Sequence, residues 1–152
     1  MGLIISRAQP DDANALTQIT IAAKRHWNYP EAWIQVWIPD LTISPEYISA
    51  NETWVAIVDG IRVGYYSLKE EKTLWLDNLW VKPEAMGQGI GTGLFRHALE
   101  RSRARGASIL NIEADPNAQS FYEHVGAQKV GEHQRGEMDG QPRILPLMEI
   151  EL

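Results

Sequence analysis

The spacing of apolar positions changes period several times along this chain, and each change predicts an element. Leu3-Ile4-Ile5 is a short apolar run, read as a first strand. Asp11-Asp12 then offers a helix N-cap, and Ala15, Leu16, Ile19, Ala22 and Ala23 keep the i, i+3, i+4 spacing of a helix. Trp33 and Trp37, four residues apart, would share one face of a second helix, and Ser44-Pro45-Glu46 starts a short helical piece ending near Asn51. Trp54–Val58 and Arg62–Leu68 are β-rich runs around Asp59-Gly60, which is a hairpin pattern, and Glu70-Glu71-Lys72 turns the chain into a third run, Leu74–Val81. Ile90, Leu94, Phe95, Ala98 and Leu99 form the stripe of a longer helix, with Gly106 as its C-cap. Ser108–Glu113 is the next strand, parallel to Leu74–Val81 across a right-handed crossover. Asp115 and Pro116 open a short helix that Gly126 closes. Gln128–Glu132 and Arg143–Ile150 are the last strands, and the polar, glycine-rich stretch 134–142 between them reads as a mobile loop.

Composition narrows the class. A chain of 152 residues fits one domain, residues 1–152, large enough to bury a core. Cysteine is absent, which excludes disulfides, thiolate metal sites and a cysteine nucleophile. No apolar run approaches the ~18 residues that span a membrane. The N-terminal stretch turns polar at once, unlike a signal peptide, so a cytoplasmic location is expected. A formal net charge of −6 argues against nucleic acid as the main partner and mildly favours a cationic substrate. His26, His97, His124 and His133 are scattered without a ligand pattern, and no metal is expected.

The chemistry concentrates in Val81–Leu94, VKPEAMGQGIGTGL, where a strand enters and a helix leaves. Gly87, Gly89, Gly91 and Gly93 recur at every second position. Glycine admits positive φ and close approach of a ligand, and successive N–H groups at a helix start make a concavity for phosphate. The spacing lacks the GxxxxGK[ST] of a nucleotide-hydrolysing loop, and it does not match a GxGxxG opening a first βαβ unit. The phosphates would therefore be a cofactor's.

Two blocks resemble the GNAT superfamily of acyl-CoA-dependent N-acyltransferases. Val81-Lys82-Pro83 followed by Met86-Gly87-Gln88-Gly89-Ile90-Gly91 is similar to its V-x-P and Q/R-x-x-G-x-G/A signature, with Met86 where the family usually has Arg or Gln. Asp115–Ala127, reading DPNAQSFYEHVGA, resembles N-x-x-A-x-x-F-Y-E-x-x-G-F, with Asp115 and Ala127 in place of Asn and Phe. The resemblance implies an α/β fold: a mixed central sheet of about six or seven strands flanked by about four helices, ordered β-α-α-β-β-β-α-β-α-β-β. Asn117 matches no invariant position of the family, but it lies one turn from Tyr122 and is the candidate contact to the pantetheine arm. The resemblance also implies acetyl-CoA as co-substrate, held by Gly87, Gln88, Gly89, Gly91 and Thr92 and by the strand-edge amides of Leu79 and Val81. One of those two amides would also face the developing oxyanion. Tyr122 would protonate the departing sulfur.

The attacking amine must be neutral. A lysine-like amine with pKa ~10.4 is neutral only about once in a few thousand molecules at pH 7. Asp77, among Trp75, Leu76 and Leu79 where desolvation would favour proton uptake, is the candidate base; Glu113 or a water chain set by Asn78 are the alternatives. His26, Trp27 and Tyr29 are the candidate acceptor contacts, since aromatic walls suit a small amine. The expected activity is acetyl transfer to a primary amine of a small molecule, by direct attack in a ternary complex. A protein N-terminal or lysine acetyltransferase and a non-catalytic acyl-CoA sensor are the alternatives. The sequence leaves open whether two copies pair through the tryptophan-rich segment or the last strands.

Overall fold

The computed structural model describes residues 2–152. Seven strands form one sheet in the order β1-β2-β3-β4-β5-β7-β6: β1 (Leu3–Arg7), β2 (Glu52–Val58), β3 (Ile61–Glu70), β4 (Leu74–Val81), β5 (Ile109–Glu113), β6 (Gln128–Met138) and β7 (Gln141–Glu151). Every neighbouring pair is antiparallel except β4 and β5. Five helices cover it: α1 (Ala13–His26), α2 (Glu31–Leu41), α3 (Pro45–Ala50), α4 (Ile90–Ala104) and α5 (Gln119–His124). The α/β class and the element order are as expected, and α3 is the short helical piece expected from Ser44, additional to the four helices of the implied order; Ser44 caps it by accepting from the Tyr47 N–H.

The sheet buries both faces. On one side α4 and α5 lay Ile90, Leu94, Phe95, Ala98 and Tyr122 on Tyr66, Leu68, Leu76, Leu110 and Ile112. On the other, Leu16, Ile19, Ile43 and Ile48 close on Val55 and Tyr65. Burying a side chain of Leu or Phe size contributes ~1.5–3 kcal/mol, so these clusters fix where α4 begins and where β4 runs.

β4 carries the decisive irregularity. Ser67 pairs with Asn78 but Leu68 pairs with Leu76, so Asp77 is the extra residue of a bulge. The bulge shifts the alternation by one: Leu74 and Leu76 pack under α4 before it, and Leu79 and Val81 pack on the same side after it. Trp80 consequently turns to the α1 and α3 face.

The stretch 134–142 is not the expected loop. Both strands run on to a two-residue turn at Asp139-Gly140, with φ of 53° and 76°. Positive φ at both central residues matches the twist of the flanking strands, and Asp-Gly suits it. A bulge lies between Gln134 and Glu137, with Gly136 at φ 67°.

Candidate active site

β4 and β5 pair over three residues only, Leu74–Leu76 with Leu110–Ile112, and then diverge. The gap between Asp77–Val81 and Glu113–Asp115 opens into a cavity of about 510 Å³, closed by the glycine loop, the start of α4 and α5. Lys82 donates its N–H to Val63 of β3 at 2.8 Å. Alternation along the strand then points the Asn78 and Trp80 N–H groups at β3 and those of Leu79 and Val81 into the gap. Both residues line the cavity.

At the loop, Gly87 and Gly89 have φ of 78° and 80°, and a Cβ on either would meet nothing within 4 Å. Their positive φ turns the backbone toward open space at the N-terminus of α4, where unpaired N–H groups and the helix dipole favour an anion. Gly91 serves differently, since a Cβ there would lie 3.4 Å from the Phe121 ring. Met86 and Thr92 line the cavity; Gln88 is exposed and does not. These features fit a pyrophosphate at the loop and an extended amide-bearing arm along β4.

Tyr122 is buried against Phe95 and Phe121, yet among the described residues none hydrogen-bonds its hydroxyl, and it lines the cavity. Burial and the nearby Asp115 carboxylate raise its pKa, so the phenol keeps its proton at neutral pH.

Asp77 lies on the opposite wall and is exposed, a correction to the expected desolvation: the bulge swings it out from between Trp75 and Leu76. Its Oδ2 accepts from the Tyr47 hydroxyl. Asn78 orders this pair. Its Oδ1 accepts from Trp80 Nε1 at 3.0 Å, so its Nδ2 donates to the Tyr47 hydroxyl at 3.1 Å and to Ser67 Oγ at 3.0 Å. Burial, then the Asp77 charge, raise the Tyr47 pKa, which keeps that hydroxyl a donor. Glu113 also lines the cavity, but His133 Nδ1 and Arg135 Nε each lie 2.6 Å from its oxygens. Burial raises its pKa, yet these two partners outweigh it and hold it below the usual range, which makes Glu113 the poorer proton acceptor.

The expected acceptor contacts separate. Trp27 lines the cavity, whereas His26 is exposed and only touches Trp27 edge-on. Tyr29 donates to Asp115 at 3.0 Å, and Asn117 Nδ2 donates to Tyr29 at 3.0 Å. Asn117 is thus held by its neighbours while still lining the cavity. Asp115 does more than cap: besides accepting from the Asn117 N–H at 2.8 Å, it accepts from Lys24 Nζ at 2.5 Å. Tyr47 lies 30 residues from Asp77 in sequence and Lys24 lies 91 from Asp115, so only the fold brings them into the site. Among the described residues no group of three or more His, Cys, Asp or Glu could hold a metal ion, and no helix is long and apolar enough to cross a membrane.

A diverging pair of central parallel strands, a glycine loop at a helix start and an unpaired tyrosine define a CoA-dependent acyltransferase site. The comparisons agree. Residues 30–142 match the acetyltransferase (GNAT) domain model. The chain is 31% identical over 106 residues to the peptidyl-lysine N-acetyltransferase YjaB of Salmonella typhimurium, covering 69% of this chain and 68% of that one. Among solved structures, a GCN5-related N-acetyltransferase from Rhodopseudomonas palustris superposes with TM-score 0.82 at 25% identity, over 100% of this chain and 97% of the other. The PaiA N-acetyltransferase from Thermoplasma acidophilum, solved in complex with coenzyme A, gives TM-score 0.79 at 20% identity over 100% of both chains. The chain belongs to the GNAT acetyltransferases, and it is an N-acetyltransferase that works with acetyl-CoA.

Proposed function

We propose that the chain acetylates a primary amine of a small molecule in a ternary complex. Acetyl-CoA supplies the activated acyl group as a thioester with a stable thiol leaving group. Gly87 and Gly89 admit its pyrophosphate to the start of α4, Gly91 lets that helix start pack against Phe121, and the Leu79 and Val81 amides receive the pantetheine arm. One of the two donates to the carbonyl oxygen as charge develops there. Asp77, kept in place by Tyr47, takes the proton from the ammonium directly or through water, and Tyr122 returns a proton to the sulfur. No metal takes part in this scheme.

The observation that carries the small-molecule reading is the tie across the acceptor side. Trp33 Nε1 on α2 donates to Asp139 Oδ2 at the β6–β7 turn at 2.9 Å, and Tyr29, Trp33 and Trp37 pack ring on ring beside it. Tyr29 ties this aromatic cluster to Asp115 and Asn117, which line the cavity, and such a braced aromatic edge suits a small acceptor better than a chain threading a groove. The named activity of YjaB favours a second reading, a lysine side chain of a protein. A free-thiol assay across polyamines, amino acids, aminoglycosides and lysine peptides separates them. Release with free amines alone supports the first reading, and release with lysine peptides alone replaces it with the second.

A further inference from the structure

Beside the acceptor end of the cavity the fold gathers two cations around one carboxylate. Lys24, on α1, and Arg143, on β7, both pair with Asp115, at 2.5 and 3.5 Å, and among the described residues neither has another carboxylate within ion-pair distance. Asp115 has little left to give, because Tyr29 and both nitrogens of Asn117 also donate to it. The cluster therefore holds one positive charge more than it holds negative. Lys24 is enclosed by the rings of Trp37, Tyr29 and Trp80 at 4.7, 5.0 and 5.9 Å.

Arg143 is the unusual member. Its guanidinium sits over Trp37 at 4.4 Å and Tyr29 at 5.2 Å, and its side chain is 13% exposed. Its one contact with a carboxylate among the described residues is the long 3.5 Å pair with Asp115, which leaves part of its five N–H donors over. Among the described residues no fully enclosed side-chain nitrogen lacks a partner, so the unpaired donors of Arg143 keep some solvent contact. A planar fork held over two aromatic rings, with donors left over, is a group that can receive a carboxylate. The cluster adjoins the cavity through Asp115, Asn117 and Trp80, which line it.

We propose that the acceptor is an amine that also carries a carboxylate, and that Arg143 receives that carboxylate while the amine faces the thioester. The inference rests on the small-molecule reading above and gives its substrate class: an amino acid or a close derivative rather than a polyamine. Lys24 keeps Asp115 neutralised, so that the excess positive charge falls to Arg143.

The test uses matched pairs that differ only in the carboxylate: ω-amino acids of increasing chain length and common α-amino acids, each beside its primary amide. Thiol release gives kcat/KM for each, and calorimetric titration of the CoA-bound protein gives affinity without turnover. For at least one pair the acid should exceed the amide by about tenfold or more, the scale of a charge-assisted hydrogen bond. Arg143→Gln should abolish that preference by weakening the acid alone, and Arg143→Lys, with the charge but not the fork, should restore part of it. Parity of acid and amide in every pair, in rate and in affinity, overturns the inference while leaving the amine reading intact. So does a preference that survives Arg143→Gln, or a loss that strikes acid and amide equally, which marks Arg143 as structural. Preferential binding of the acids without any thiol release upholds the anion site and counts against the activity proposed for it.

Discussion

Replacing Asp77 by asparagine tests the proton path. At pH 7 a lysine-like amine is neutral about once in 2,500 molecules, and generating the nucleophile from it costs ~4.6 kcal/mol. The variant removes the acceptor for that proton and little else. An asparagine Oδ1 still accepts from the Tyr47 hydroxyl, so the links among Tyr47, Asn78 and Ser67 persist. Asp77 is exposed, so its loss strands no buried partner charge, and stability should change by less than ~0.5 kcal/mol. A positioned base contributes roughly 100- to 10,000-fold. Water reaches this side chain and can substitute for it in part, which places the expected fall in kcat/KM near the lower end, about 100-fold at pH 7. Each added pH unit raises the neutral amine about tenfold, so the variant should gain on the parent until the amine's own pKa. Thiol release at saturating acetyl-CoA, from about pH 6.5 to about pH 9.5, reads this out. A loss below about threefold at pH 7, or a gap that stays constant with pH, would refute Asp77 as the base.

Other perturbations follow from the same geometry. In Gly89→Ala the new Cβ enters open space but the residue must keep φ near 80°, so the variant should lose ~1–2 kcal/mol and several degrees of Tm. Its acetyl-CoA affinity, measured by titration, should also weaken, because that open space is where phosphate would lie; unchanged affinity would argue against the cradle. Glu52 is buried, accepting from Arg101 at 2.5 Å and Arg105 at 3.3 Å. Burial raises its pKa, but the hydrogen bonds from Arg101 and Trp54 and the charges of Arg101 and Arg7 outweigh it, and the folded-state value falls below the ordinary one. Its contribution is therefore full above the unfolded carboxylate range of ~4.3 and is lost as pH falls through the folded value. Glu52→Gln should lower Tm at pH 7 and much less at about pH 3, as followed by thermal unfolding.

Much of this was legible in the sequence. The strand–glycine–helix stretch, the Phe121-Tyr122 block and the hairpin at Asp59-Gly60 are local signals, and each lies where its residues predicted. The bulge in β4 was not legible: Leu74-Trp75-Leu76 and Leu79-Trp80-Val81 are unbroken apolar runs, so no change of alternation marks Asp77 as the extra residue. The stretch 134–142 misled because its polarity suggested a loop, although Asp139-Gly140 carries the same turn chemistry as Asp59-Gly60. A strand with both faces largely exposed loses the hydrophobic pattern that reveals it, and β6 is such a strand. Asp115 had a sufficient local explanation as a cap, which hid its pairing with Lys24, 91 residues away. Arg143 and Tyr47 reach the site only through tertiary packing, which no periodicity encodes.

The most direct test of the account is Tyr122→Phe, measured for thiol release and for acetyl-CoA affinity in the same preparation. Among the described residues its hydroxyl has no partner to lose, so fold and cofactor binding should be unchanged, while a thiol of pKa ~8.5 departing at pH 7 loses its proton source. Release should fall at least about tenfold with Tm and affinity preserved. Release at the parent rate with the chosen amine would contradict the role given to Tyr122 and the proton path built on it.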